Sequence, residues 1–358
     1  MKNFKAIHQF TPSVDFGDSV SNGLLFVQKL LRDLGFVSNI YNCDKVVSTS
    51  FKKEIFHISQ YEQSSENILF YHHSIGHVCH ERIMSFKDKK VLVYHNITPS
   101  HFFKDEKHLQ VACDEGREQL KNSAGKFIAS IGDSDYNSKE LRSFNYKNPI
   151  TLPLLVDLDI KSTVVPNKTI VKLYSDSYNI LFVGRVVQNK CQHQLIDTLQ
   201  ELKLLGKTDI KLFIVGGVSQ PNYFEFLKEY ASNLGLNSKV IITNKVSDED
   251  LAAYYESADL YLSLSEHEGF GIPLIEAMKY DIPVLTYNAG GIASTVTTKS
   301  LLEKKSPRFV AQKIVELQED QDFKVELLKA QKKHLETFSY ENMKKRLNNF
   351  IHDIEKLT

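Results

Sequence analysis

Apolar residues run along this chain in two alternating rhythms. Short β-rich runs such as FKAIHQF (4–10), NILFYHH (67–73), KVLVYHN (90–96) and GKFIAS (125–130) alternate with longer stretches in which apolar positions recur at helical spacing, as in GLLFVQKLLRDLG (23–35) and around SKELRSF (138–144). That alternation predicts βαβ units and a parallel sheet. It pauses at NPITLPLLVDLDIKSTVVPNKT (148–169), which holds three prolines and no helical period, and the reading places an interdomain linker there. The alternation then restarts with NILFVGRV, a helix over HQLIDTLQELKLLG, KLFIVGG, a helix over YFEFLKEYASNLG, KVIITNKV, LYLSLS and IPVLTYN. From 308 to 358 the pattern is helical and charged with an apolar stripe.

The chain has 358 residues and is 42% hydrophobic, enough for two α/β domains of ordinary size, each with its own core. Its formal net charge is zero, and the balance holds in both halves, which argues against a nucleic-acid groove or a polybasic membrane patch. Four scattered cysteines, Cys43, Cys79, Cys113 and Cys191, form no Cys-x-x-Cys pair and read as free thiols of a reducing compartment. No run resembles a signal peptide or a membrane span, so the expectation is a cytoplasmic protein, with docking at the inner membrane face left open.

Several familiar signatures fail. Gly206-Lys207-Thr208 ends like a phosphate-binding loop, but the required first glycine falls on Glu201. Gly269-Phe270-Gly271 begins like a dinucleotide fingerprint, but the third glycine position is Leu274. The best metal candidate is YHHSIGHVCHE (71–81), in which His73, His77 and His80 are read as sharing a helix face beside Cys79. Ligands crowded into one turn rarely all converge on an ion, and no distant partner is evident, so the expectation is no metal site, with His72 or His73 facing a ligand cleft.

EHEGFGIPLIEAM (266–278) is the most informative stretch. Pro273 suits a first helical turn, which predicts a helix over 273–279 with its N-terminus leaving LYLSLS, a seat for a diphosphate. Gly269 and Gly271 let backbone approach a ligand closely. Glu268 falls in the loop and Glu276 in the first helical turn; ionised carboxylates only accept hydrogen bonds and so suit sugar hydroxyls. The alternative is that Glu276 complements the helix dipole while Glu268 is a solvated loop charge.

Glu268 and Glu276 with GFGIPLI between them resemble the E-x7-E motif of the retaining glycosyltransferases of family 4, which have the two-domain GT-B fold. ILFVGRVVQNK (180–190), SDEDLAAYYESADLYLSLSEHEGFGIPLIEAMKYDIPV, GDSVSNGLLFVQKLLRDLG (17–35), KVLVYHNITPSHFF and DYNSKEL (135–141) extend the resemblance over nearly the whole chain. It implies an α/β protein of two Rossmann-like doubly wound domains facing a central cleft: an acceptor domain over 1–160, onto which the helix at about 340–358 packs back, and a nucleotide-sugar domain over 165–339.

The resemblance further implies roles for single residues. Arg185 and Lys190 would hold the donor diphosphate, and Glu268 would contact the transferred sugar. Glu276 would contact the ribose, with the backbone from Phe270 through Gly271 to Ile272 lining the donor. His95 would lie beside the transferred sugar; its plainer reading is a buried, hydrogen-bonded histidine at a strand end. Gly17 would bring a backbone N–H to the phosphates, although many family members have two adjacent glycines where this chain has Phe16-Gly17-Asp18. Lys245 and Val246 would meet the base. The implied activity is metal-independent transfer of a hexose from a UDP- or GDP-sugar to a glycan or lipid-linked glycan acceptor, with no cofactor. A sugar-nucleotide epimerase or phosphorylase of the same fold, or a non-catalytic sugar-nucleotide-binding subunit, is the rival reading.

Overall fold

A computed structural model describes residues 4–12, 14, 19–43, 55–153 and 164–357. The chain divides into two compact units, one made of residues 1–157 and 337–358, the other of residues 158–336.

The first unit is built on a seven-stranded sheet, all of its pairings parallel: β1 (Ala6–Thr11), β2 (Ile40–Asn42), β3 (Ile55–His57), β4 (Asn67–His73), β5 (Lys89–Tyr94), β6 (Ala129–Gly132) and β7 (Pro149–Thr151), in the order β3-β2-β1-β4-β5-β6-β7. Strands β1 and β4 are buried along their whole length, which explains why they read as nearly continuous apolar runs. The helix Tyr340–Glu355 presents Met343, Leu347, Phe350, Ile351 and Ile354 to the same core as Ile7, Leu30, Ile68 and Val91. Its apolar stripe has the period of one helix face, and that face is spent on this unit.

The second unit holds β8 (Tyr178–Val183), β9 (Ile210–Val215), β10 (Val240–Ile242), β11 (Leu260–Ser263), β12 (Val284–Tyr287) and β13 (Leu301–Leu302), in the order β10-β9-β8-β11-β12-β13 and again parallel throughout. From β8 the chain winds outward through β9 and β10, then crosses back to β11 and winds the other way. Loops after β8 and β11 therefore leave the sheet toward opposite faces and open a crevice at its carboxyl edge, the place where such sheets bind ligands. Both sheets have this order of winding, and the architecture is the GT-B fold.

Two expectations change. The linker read over 148–169 overlaps β7 at its start and the helix Lys168–Leu173 at its end; β7 is three residues long, too short to show an alternation. The cysteines are not all free, because Cys43 and Cys79 form a disulfide with a Cα–Cα distance of 6.6 Å, leaving Cys113 and Cys191 as buried thiols. Gly17 lies outside the described residues.

Candidate functional site

In the second unit the residues singled out from sequence gather at the switch in winding between β8 and β11. Strand β8 ends at Val183, and the turn that follows passes so close to the next strand that a Cβ on Gly216 would lie 2.2 Å from the Gly184 carbonyl. Arg185 leaves this turn with its side chain exposed, while its carbonyl accepts from Gln192 Nε2 at 2.9 Å. Lys190 follows at the end of the short 3-10 helix Gln188–Lys190. That segment is tied to the loop after β11 by two contacts: Glu266 N donates to Asn189 O at 2.8 Å, and Asn189 Nδ2 to His267 O at 3.4 Å.

These ties bring Lys190 Nζ to 2.6 Å from Glu268 Oε1, with both side chains mostly buried. The Glu268 backbone is fixed as well, since its carbonyl accepts from Gly291 N at 2.8 Å. A charged pair held by flanking backbone contacts loses little side-chain freedom, unlike a pair of long side chains in open solvent.

The helix after the loop runs Ile272–Lys279, and Gly271 caps it in the left-handed region at φ 91°. Only glycine adopts this without strain, and a Cβ there would lie 2.9 Å from Leu274 Cδ1. Pro273 sits in the first turn as expected, leaving the N-terminal N–H groups at the crevice. Phe270 is buried, and its carbonyl accepts a hydrogen bond from Thr295 Oγ1.

Glu276 differs from expectation. It lies in the second turn of the helix, is only 6% exposed, and accepts a hydrogen bond from Tyr255 Oη at 2.8 Å. Burial, reinforced by the Glu276 charge, holds the Tyr255 phenol well above its ordinary pKa, so it remains a donor. Glu266, outside the eight-residue spacing, pairs with Lys305, and its side chain is 45% exposed. Lys245 and Val246 follow the carboxyl end of β10, and Lys245 N donates to Asn244 Oδ1 at 2.8 Å.

In the first unit the carboxyl ends of β1, β4, β5 and the turn after β6 carry a buried chain of hydrogen bonds that the sequence did not reveal. His72 Nε2 meets Gln9 Oε1 at 3.1 Å, His72 Nδ1 meets His95 Nε2 at 2.8 Å, and His95 Nδ1 meets Asp133 Oδ2 at 2.8 Å. Gln9 Nε2 donates to Leu24 O, which orients its oxygen toward His72. Both ends of the chain are thus acceptors, and three gaps need three protons, one more than two neutral imidazoles supply. Burial, and secondarily His95, holds His72 well below the ordinary imidazole pKa. Both nitrogens of His95 are engaged here, as in its plainer reading.

Among the described residues, His73, His77 and His80 also come together, though not on one helix face: His73 ends β4, His77 lies in the turn, and His80 opens the helix His80–Met84. Burial lowers all three imidazoles, His73 to about 4 and His77 to about 3, so they are neutral near pH 7.

Comparison with known proteins fits this layout. Residues 166–334, nearly the whole second unit, match the family described as Glycosyl transferases group 1. The capsular polysaccharide biosynthesis glycosyltransferase CapM of Staphylococcus aureus is 29% identical over 192 residues, covering 51% of this chain and 49% of CapM. The chain spans about half the length of the curated relatives it matches, or less. Among solved structures, a glycosyltransferase of Rickettsia africae superposes with a TM-score of 0.74 at 19% identity, covering 99% of this chain and 100% of that one. Anabaena Alr3699/HepE in complex with UDP-glucose superposes with a TM-score of 0.75 at 15% identity, covering 97% and 99%. No described helix is long and apolar enough to cross a membrane.

Proposed function

We propose that this chain is a retaining glycosyltransferase that moves a hexose from a UDP- or GDP-linked donor to a hydroxyl of a glycan or lipid-linked glycan, in surface polysaccharide or lipopolysaccharide synthesis at the inner face of the membrane. One observation carries the reading: Lys190 and Glu268 are paired at the winding switch of the second sheet, beside a glycine-capped helix N-terminus and the exposed Arg185. A cation, a carboxylate and the positive end of a helix suit a ligand that is anionic at one end and hydroxylated at the other. The family match over 166–334, the place of CapM in capsular polysaccharide biosynthesis and the UDP-glucose in the HepE complex support it.

In this reading the donor diphosphate is met by Arg185, Lys190 and the backbone N–H of Ile272. Lysine has three donors, so Lys190 keeps Glu268 while binding phosphate, and the other Glu268 oxygen accepts from a sugar hydroxyl. As the anomeric carbon–oxygen bond breaks, charge grows on the leaving phosphate, where these donors stabilise it. The acceptor hydroxyl attacks the same face of the sugar, its oxygen bonding to the anomeric carbon while its proton passes to the leaving phosphate. The anomeric configuration is retained, and the charge is met without a metal at the diphosphate. Glu276 takes the ribose, and Lys245 and Val246 the base.

The test is a thermal-stabilisation screen with UDP-, GDP- and dTDP-sugars, followed by transfer assays with the stabilising donor and NMR of the product anomer. Stabilisation by one nucleotide class and a product with the donor's anomeric configuration are expected. An inverted product, or no response to any nucleotide sugar, overturns the proposal.

A further inference from the structure

Besides the Cys43–Cys79 disulfide at its end, the turn after β4 is braced by the helix Lys107–Asn122 and the residue that follows it. A Cβ on Gly76 would lie 2.6 Å from Gly116 N, and Gly76 N donates to Ala112 O at 2.9 Å, so the turn lies directly against the helix backbone. Gln119 clamps the His77 backbone from both sides, accepting from its N–H at 3.2 Å and donating to its carbonyl at 3.0 Å. The outer contacts of the other two histidines come from the same helix and its end: His73 Nε2 meets Gly116 O at 2.9 Å, and His80 Nε2 meets Ser123 Oγ at 2.7 Å.

Three imidazoles face one another inside this brace. Their ring centroids form a near-equilateral triangle with sides of 6.4, 6.0 and 6.1 Å, and one nitrogen from each ring lies within 4.8 Å of the other two. The Gly116 carbonyl can only accept, so the His73 proton is on Nε2 and its Nδ1 is a lone pair. That Nδ1 is buried without a partner, and so is Nδ1 of His77. Tyr71 Oη lies 2.6 Å from both His77 Nε2 and His80 Nδ1. With the phenol donating to His80 and accepting from His77, His77 Nδ1 is a second free lone pair.

We propose that His73, His77 and His80 bind one transition-metal ion of the zinc class that ties together the end of β4, the turn after it and the start of the helix His80–Met84. An imidazole whose far nitrogen is held by a carbonyl, with the near one free, is in the state in which histidine ligates metal. Three imidazoles suit zinc, cobalt, nickel or copper far better than magnesium or calcium. Zinc–nitrogen bonds of about 2.05 Å put tetrahedral ligands about 3.3 Å apart, so the triangle closes by on the order of an ångström on binding. Binding at His80 Nδ1 replaces the hydrogen bond between that nitrogen and the Tyr71 hydroxyl. The three residues come from a strand end, a turn and a helix start, and so converge where one helical turn would have splayed them.

Full-length protein, freed of any affinity tag and stripped with a chelator, is titrated with zinc and with cobalt; metal content is measured by mass spectrometry and tetrahedral cobalt by its visible absorption. His77, in the turn rather than the strand, is replaced by Ala and by Gln, with exposed His101→Ala as the control. Wild type and His101→Ala should each take up one ion per chain and gain thermal stability from zinc. Both His77 variants should bind at least tenfold more weakly and show no such gain, while nucleotide binding by the second unit is unchanged in every sample. Equal uptake by wild type and the His77 variants, or no stoichiometric uptake by wild type, overturns the site.

Discussion

Lys190 Nζ and Glu268 Oε1 are in contact at 2.6 Å, although one residue follows β8 and the other follows β11. The pair bridges the two loops that flank the winding switch, so each charge holds the other in the crevice before any ligand arrives. Removing either member leaves the other partly buried and uncompensated.

Lys190→Ala and Arg185→Ala should each lower kcat/KM for transfer at least tenfold, roughly the 1.4 kcal/mol or more expected for a lost charge-assisted contact to the leaving group. Thermal midpoints should barely move for the exposed Arg185. Wild-type rates in both variants would remove the diphosphate role.

The acidic residues should separate by ligand. Glu276→Gln, which keeps an acceptor for Tyr255, should weaken both the nucleoside diphosphate and the intact donor. Glu268→Ala should leave the product's affinity nearly intact while cutting donor turnover. The loss at each is about 1.5–3 kcal/mol, typical of a hydrogen bond to a charged group. Glu266→Ala, which removes the pair with Lys305 and the carboxylate beside Cys191 but nothing at Lys190, is the control. Calorimetric titration beside transfer rates checks this, and a Glu276→Gln variant with normal product affinity contradicts the ribose assignment.

Gly271→Ala should be destabilising by about 1–2 kcal/mol from its left-handed backbone alone, with the contact to Leu274 adding to it. Gly125→Ala meets nothing within 4 Å and should be nearly neutral. Urea midpoints of the two variants, with nucleotide affinity for the first, distinguish a helix cap under steric constraint from a glycine with open space around it.

Cys191 gives an alkaline signature. Burial, and next the charge of Glu266, push its thiol up to about 11 from 9.0. Between these values the unfolded chain loses the proton first, so the folding stability contributed by this thiol is complete below pH 9 and lost as pH rises toward 11. Wild type should lose up to about 1.4 kcal/mol per pH unit more than Cys191→Ala across that window. Parallel alkaline denaturation curves for the two proteins would contradict the buried, protonated thiol.

Thiol titration checks the cysteine pairing. Denatured, unreduced protein should show the two thiols of Cys113 and Cys191, and peptide mapping should join Cys43 to Cys79, 36 residues apart. By loop entropy, reduction should cost roughly 4 kcal/mol of stability. Four free thiols would exclude the bridge.

What the sequence revealed and what it hid follow from the range of the interactions. Buried strands of six or seven residues such as β1, β4 and β8 are legible because burial on both faces leaves an apolar run. Strands β2, β3, β7 and β13 have two or three residues and no readable period. Gly271 and Pro273 announce their helix start because cap chemistry is local. Glu276 falls in the second turn because the helix begins at Ile272, one residue before Pro273, a start that spacing along the chain does not fix. The Lys190–Glu268 contact and the chain from Gln9 through His72 and His95 to Asp133 depend on which strands are neighbours. That order is a property of the whole sheet, and no local pattern contains it. His73, His77 and His80 were visible as a motif but not as a convergence, for the same reason.

The return of residues 337–358 to the first unit makes the second unit, topologically, an insertion. Two peptide connections, near 157 and 336, join it to its host, so it can be exchanged between relatives as a cassette only by recombination at both places. A single crossover near 157 would couple a foreign 340–355 helix to the native sheet. Its match to Ile7, Leu30, Ile68 and Val91 would then decide whether the chimera folds, whatever the imported domain binds.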